Sequence, residues 1–242
     1  MRTAFFTSTG RTGTDFFTTL FNEAVENAWS IHEPKPAFRR RAKKNINGQF
    51  GVFDIAYFKL PRMWEHRKHK EEWYVETNYH LFASIPVIRK AFPDALVFHI
   101  VRDGRDVVTS WLNRYRYITN EHITPFDTGD KEAQKEWERW NPLQKLSWYW
   151  KTVNNHAFQQ NPDLLIRFED IFRQKGGKEI WKILSQFENI ECSQEKAEKL
   201  LKQPVNKNNQ EFFPKYREWP KKWKDQFWEI AGKEMAWFGY SR

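Results

Sequence analysis

The stretch that most constrains the fold is "TAFFTSTGRTGTDFF", residues 3–17. An apolar run of strand-forming residues enters a turn rich in glycine and threonine. The chain leaves the turn with Phe16, Phe17, Leu20, Phe21 and Ala24 at helical spacing. A buried strand feeding a helix through such a turn is the outline of a phosphate-binding loop. With Gly13 placed at the second glycine of a nucleoside-triphosphate loop, Ser8 falls at the first glycine and Thr14 at the lysine. Asp15 then falls at the hydroxyl residue that would ligate magnesium. The frame is kept and both charge-handling residues are lost. The backbone N–H groups of Arg11 through Thr14 still open a helix N-terminus, which attracts an anion through free donors and aligned dipoles. Arg11 adds a charged fork, and Thr12 and Thr14 add hydroxyls. This loop suits a terminal anionic group that needs no metal.

The rest of the chain alternates in the same way. Buried strands are expected at 72–77 ("EWYVET"), 95–101 ("ALVFHIV") and 163–168 ("DLLIRF"). Helices are expected at 14–28, 79–92, 105–117, 131–160 with a break at Pro142, 178–187, 193–203 and 221–240. "IHEPKPAFRRRAKKN", residues 31–45, reads as a Pro-rich turn and a basic surface loop. Strands buried on both faces and alternating with helices predict an α/β fold. Its central parallel sheet is flanked by helices in a P-loop-like three-layer sandwich with a helical C-terminal part. The length of 242 residues suits a single domain, 1–242. In such sheets ligands sit beyond the carboxyl ends of the strands.

A second candidate anion loop lies at such an end, in "FHIVRDGRDVVTSW". Arg102 leaves the strand, and Ser110 follows eight positions later, two turns into the next helix. An arginine and a hydroxyl so placed can close on one phosphate. Alone, "VRDGRD" reads as a salt-bridged turn. Together and in this order, "RTGTD" (Arg11–Asp15) and "VRDGRD…S" resemble the two signature motifs of the sulfotransferase family, which uses 3′-phosphoadenosine 5′-phosphosulfate (PAPS). The resemblance spans most of the chain, more loosely at "LLIRFEDIF" and the terminal "FGY", and its specific content lies in the two motifs.

The resemblance implies PAPS as co-substrate, its 3′,5′-bisphosphate PAP as product, and no metal. It places Arg11, Thr12, Gly13, Thr14 and Asp15 on the 5′-phosphosulfate and Arg102 and Ser110 on the 3′-phosphate. Lys207 is placed in a loop that closes over the nucleotide. Asp15 departs from the family's hydroxyl residue and puts a carboxylate beside an anion unless it turns away. Motif layout is most similar to the carbohydrate and glycosaminoglycan branch, where a glutamate follows the first helix. Glu33, 22 positions after Arg11, matches that separation and is the preferred general base, with its neighbour His32 as the alternative. That branch also carries a lysine at the end of the second strand. Here the place is held by Glu76, with Lys59 as a substitute cation. Arg167, Glu169 and Asp170 read as strand end and helix start.

Composition narrows the partners. Lysine and arginine exceed acidic residues by nine, so the chain prefers anionic partners. The run Arg39–Lys44 is a candidate grip on an anionic glycan or on the nucleotide, or a solvated loop. The 13 tryptophans, including those of "EWERW" and "WYW", are core by spacing, although such rings also suit sugar faces. One cysteine, Cys192, rules out an internal disulfide and a four-thiolate zinc site. His66 and His69 lie in a basic stretch without a framing set of carboxylates or thiolates. No apolar run reaches membrane-spanning length, and the start lacks a signal-peptide pattern. A cytoplasmic protein without stable membrane insertion is expected, acting on a small-molecule or glycan acceptor and not on nucleic acid. Three rivals stay open. They are an atypical P-loop nucleotide kinase, a basic–aromatic nucleic-acid module, and a non-catalytic relative that only binds the nucleotide.

Overall fold

A computed structural model describes residues 1–35, 38–114, 122–174, 176–203 and 212–242. Five strands, β1 (Arg2–Ser8), β2 (Ala28–His32), β3 (Trp73–Thr77), β4 (Leu96–Val101) and β5 (Leu164–Arg167), form one sheet in the order β2-β3-β1-β4-β5. Every pairing is parallel. The helices are α1 (Thr14–Ala24), α2 (Arg39–Asn45), α3 (Val52–His66), α4 (Ile85–Ala91), α5 (Gly104–Leu112), α6 (Pro125–Thr128), α7 (Lys131–Glu136), α8 (Pro142–Gln159), α9 (Gly177–Leu184), α10 (Gln194–Lys202) and α11 (Lys221–Trp237). The α/β architecture expected from the alternation is the one observed.

Side-chain alternation along β1 divides the core. Ala4 and Phe6 point to the layer of α1, α9 and α10, where Phe6 stacks on Phe17 and Phe98 at 4.7 and 4.6 Å. Phe5 points to the layer of α3, α4 and α8 and meets Phe58 and Phe92. A third cluster joins α5, α8 and α11 through Val107, Trp150, Phe227 and Met235. Trp148 and Trp150 are fully buried, so the "WYW" tryptophans are core.

Three local expectations are corrected. The first helix ends at Ala24, four residues short of the expected end: Val25 is extended and bridges Cys192, and the Ala24 carbonyl accepts from Ser193 N–H at 2.8 Å, while Asn22 turns to the edge strand. Its amide accepts from Ser30 N–H at 2.7 Å and donates to Ser30 C=O at 2.9 Å. This side chain supplies ladder bonds on the open edge of β2, a strand too short and too mixed to show period-2 patterning. The basic run is helix α2 and not a loop: Arg41 and Lys44 both pair with the buried Asp54 on the first turn of α3. Finally, residues 79–92 form a 3₁₀ turn (Tyr79–Ala83) before α4.

Glu76 is fully buried on the α3 face of β3. Arg62 of α3 meets it with a two-pronged bond, Nε to Oε2 at 2.6 Å and Nη2 to Oε1 at 2.7 Å. Tyr74 Oη and Asn78 Nδ2 each add a bond at 3.0 Å, and Arg62 also donates to Phe58 C=O. The carboxylate that departs from the family's lysine is therefore neutralised inside the core. Arg62→Ala leaves that charge buried and uncompensated, an expected loss of about 3–5 kcal/mol. Urea unfolding of Arg62→Ala beside a double apolar replacement of both partners checks this; the double variant is expected to be the more stable.

Candidate functional site

The loop after β1 and the loop after β4 leave neighbouring strands, β1 and β4 being paired in the sheet, and so converge at its carboxyl edge. The first winds through three positive φ angles, Gly10 at 74°, Arg11 at 61° and Gly13 at 74°. Glycine is needed at 10 and 13. An added Cβ at Gly10 would stand 2.9 Å from the Trp111 ring, and one at Gly13 would press on Phe168 and Phe172 at 3.2 Å. Gly13 is the N-cap of α1, and no side chain caps that helix. Thr12 is fully buried, and its hydroxyl is unpartnered. A loop that exposes first-turn N–H groups and holds an unpaired hydroxyl is a receptor for acceptor-rich anions.

The two loops touch. Arg11 Nε donates to Ser110 Oγ at 2.9 Å, and Arg102 Nη1 donates to the carbonyl oxygen of Arg11 at 2.8 Å. Arg102 also lies over the Phe168 ring and within 3.7 Å of Asp106. Burial first, then Arg114 and Arg102, lower the Arg11 pKa to about 10 against the opposing influence of Asp15 and Tyr79. A guanidinium with a depressed pKa among other arginines marks a positive potential that a bound anion would relieve. Arg114 was missed in the sequence because it matches neither motif; it follows the end of α5 and reaches the site only through that helix.

The expected base residues sit at the end of β2, beside the tip of β3. His32 Nδ1 is 2.8 Å from Thr77 Oγ1, which shares a 2.6 Å bond with Thr18 of α1. His32 Nε2 lies 2.9 Å from Asp15 Oδ1 and 3.3 Å from Glu33 Oε1. Asp15 therefore turns to the imidazole, which resolves how a carboxylate can stand on the first turn of an anion-binding helix. Burial works to lower the His32 pKa, but the bond and charge of Asp15, aided by Glu33, leave it raised. Burial raises the Glu33 pKa, against His32 and with Asp15. Asp15→Asn is expected to lower the His32 pKa, which an NMR titration of the imidazole reads directly. A raised histidine pKa stabilises below the unfolded value of about 6.5, and the gain is lost as pH rises through the folded value. The variant's stability deficit should accordingly be larger at pH 6 than at pH 9.

Among the described residues, four non-glycine positions have positive φ: Arg11, Glu33, Asn161 and Asn189. Asparagine tolerates that region, whereas Arg and Glu pay for it, and such strain concentrates at functional sites. Both charged residues belong to this constellation.

Other candidates fall elsewhere. Lys59 lies over Phe92 beside a cavity of about 640 Å³ lined by Thr3, Met63, Trp73 and Leu96, at the amino ends of the strands. It is not the replacement cation for the loops. His69 stacks on Trp29 at 3.6 Å, and His66 Nε2 meets the Glu71 carbonyl at 3.1 Å. Glu169 accepts from Asp103 N–H at 3.0 Å and Tyr240 Oη at 2.7 Å, and Arg167 covers the Tyr240 ring. These tie the β4 turn to the C-terminal "FGY". Lys207 lies outside the described residues. Among the described residues no group of three or more His, Cys, Asp or Glu is disposed to hold a metal ion, and no helix is long and apolar enough to cross a membrane.

The sequence model described as the sulfotransferase family matches residues 30–187, which include Glu33, Arg102 and Ser110 and begin after the first loop. A search of curated protein sequences finds no match. Among solved structures, the crystal structure of a sulfotransferase from Alicyclobacillus acidocaldarius aligns over 100% of this chain and 97% of its own, with a TM-score of 0.53 and 13% identity. At that identity the likeness is one of fold.

Proposed function

The chain belongs to the sulfotransferase family, and on that premise we propose that it moves a sulfuryl group from PAPS to a hydroxyl or amine of a carbohydrate or other small acceptor. The observation that carries this reading is the contact between the two loops, Arg11 on Ser110 and Arg102 on the Arg11 carbonyl. Two cations and two sets of hydroxyl and N–H donors are gathered at adjacent strand ends. That arrangement fits a nucleotide with anionic groups at both its 5′ and 3′ positions better than ATP with magnesium. Arg11, Thr12, Gly13 and Thr14 would hold the 5′-phosphosulfate, and Arg102 and Ser110 the 3′-phosphate.

PAPS supplies an activated sulfuryl group whose leaving group is a phosphate. In the transfer, the bond from sulfur to that phosphate oxygen breaks and a bond from sulfur to the acceptor oxygen or nitrogen forms. Arg11 neutralises charge on the group in flight. Glu33 takes the acceptor proton. Its raised pKa brings it nearer to neutral pH, where a carboxylate base is most effective. His32, held by Thr77 and Asp15, positions Glu33 through Nε2. The whole chain, 1–242, acts as one domain in this reading.

The test is transfer of label from [³⁵S]PAPS to a panel of sugar, phenol and amine acceptors with a chelator present. Labelled product is expected. Label transfer from [γ-³²P]ATP that requires magnesium, with none from PAPS, would contradict the proposal and favour the kinase.

A further inference from the structure

The outward face of α3 is apolar where a helix on a sheet is ordinarily polar. Its inner stripe, Asp54, Phe58 and Arg62, is buried. Its outer stripe is Phe53, Tyr57, Leu60 and Trp64, at i, i+4, i+7 and i+11. Their exposures are 90, 40, 63 and 62%, with Val52 beside them at 79%. Single exposed hydrophobics need no explanation, but a continuous row of this kind marks an interaction surface. Among the described residues, half of the large exposed hydrophobics lie on this one helix.

The charge around the stripe is as uneven as its polarity. Residues 39–70 carry ten lysines and arginines, one of them the buried Arg62 that pairs with Glu76, against two acidic residues, in a chain whose net charge is +9. Of the two acids, Asp54 is buried under Arg41 and Lys44, and Glu65 pairs with Lys68. Cations flank the stripe near both ends: Arg41 lies 4.6 Å over the Tyr57 ring and Lys68 3.5 Å over the Trp64 ring. Arg40 and Lys44 are exposed on α2.

We propose that this face docks on a membrane surface that carries anionic lipid. A row of Phe, Leu and Trp beside exposed cations, here Arg40, Arg67 and Lys70, is the pattern of a helix lying in the interface plane. There the rings enter the acyl boundary while the cations reach the headgroups. A second copy of the chain is disfavoured as the occupant, because a two-fold contact would set this basic face against itself. An acidic protein would satisfy the charges, but a bilayer supplies both the apolar layer and the negative sheet over the whole length of the helix. The inference does not rest on the chemistry of the loops.

The experiment is co-sedimentation of the full chain with vesicles of phosphatidylcholine containing about 30% phosphatidylglycerol, at low and high salt, with pure phosphatidylcholine for comparison. Binding to the anionic vesicles that weakens with salt is expected. Phe53→Ser, Leu60→Ser and Trp64→Ser combined should lower the partition coefficient about a hundredfold. The exposed positions predict an unchanged melting temperature for that variant, which serves as the folding control. No binding by the wild type overturns the proposal. So does equal binding by the triple variant, which would leave adsorption by charge alone. A wild-type dimer in analytical ultracentrifugation that the triple variant dissolves would assign the stripe to a second copy and overturn it as well.

Discussion

Arg11→Ala is expected to lower sulfuryl transfer by about 10³–10⁵-fold, the range seen when an arginine that neutralises a transferring anionic group is removed. Two losses combine. The guanidinium is the charge that the first loop itself carries, and it is also the donor that joins Ser110 to that loop. Stability should change little: alanine meets the same backbone requirement at φ 61°, and no buried acid is left unpaired. Arg11→Lys keeps a charge but loses the planar fork, so it should recover only part of the rate. Steady-state rates with PAPS, beside a melting curve for each variant, check this. A rate for Arg11→Ala within tenfold of wild type would remove Arg11 from the chemistry.

Glu33→Gln is expected to reduce turnover by about 10²–10⁴-fold while leaving nucleotide affinity nearly unchanged. The pH profile gives the sharper reading. A general base works in its deprotonated form, so the wild-type rate falls as pH drops through the Glu33 pKa. Burial and Asp15, working against His32, hold that pKa above the ordinary carboxylate value. The acid limb should therefore lie above the usual carboxylate range and vanish in Glu33→Gln. His32→Gln should move the limb and lower the rate less than Glu33→Gln does. A Glu33→Gln enzyme that retains both rate and limb, beside an inactive His32→Gln, would exchange the two roles.

The parts of this account legible in the sequence are those encoded locally. "TAFFTSTGRTGTDFF" places a strand, a turn and a helix in one run, and "VRDGRD" marks a strand end and a helix start, to which the structure adds Asp103 as the N-cap of α5, its side chain accepting from Arg105 N–H. What escaped depends on contacts between distant segments. β2 is held on its open edge by a side chain of α1, which no pattern within residues 28–32 reveals. Helix α2 looks like a loop because its charges dominate; its partner Asp54 lies ten or more residues on. Helix α3 shows no ordinary amphipathic period because its outer stripe is apolar while its inner stripe holds the charged Asp54 and Arg62 beside Phe58, and Pro61 lies within it. Asp15 reads as a misfit in the anion loop until the parallel pairing of β2 with β3 brings His32 to it.

The two proposed anion loops together would hold a nucleotide bearing anionic groups at both ends of its ribose. Thermal unfolding in the presence of PAP, AMP, or ATP with magnesium tests it most directly, because it needs no acceptor. A ligand at a hundred times its dissociation constant adds about 2.7 kcal/mol, a rise of roughly 5–10 °C for a chain of this size. That rise is expected with PAP, little with AMP, and its loss in an Arg102→Ala variant. A rise with ATP and magnesium but none with PAP would contradict it.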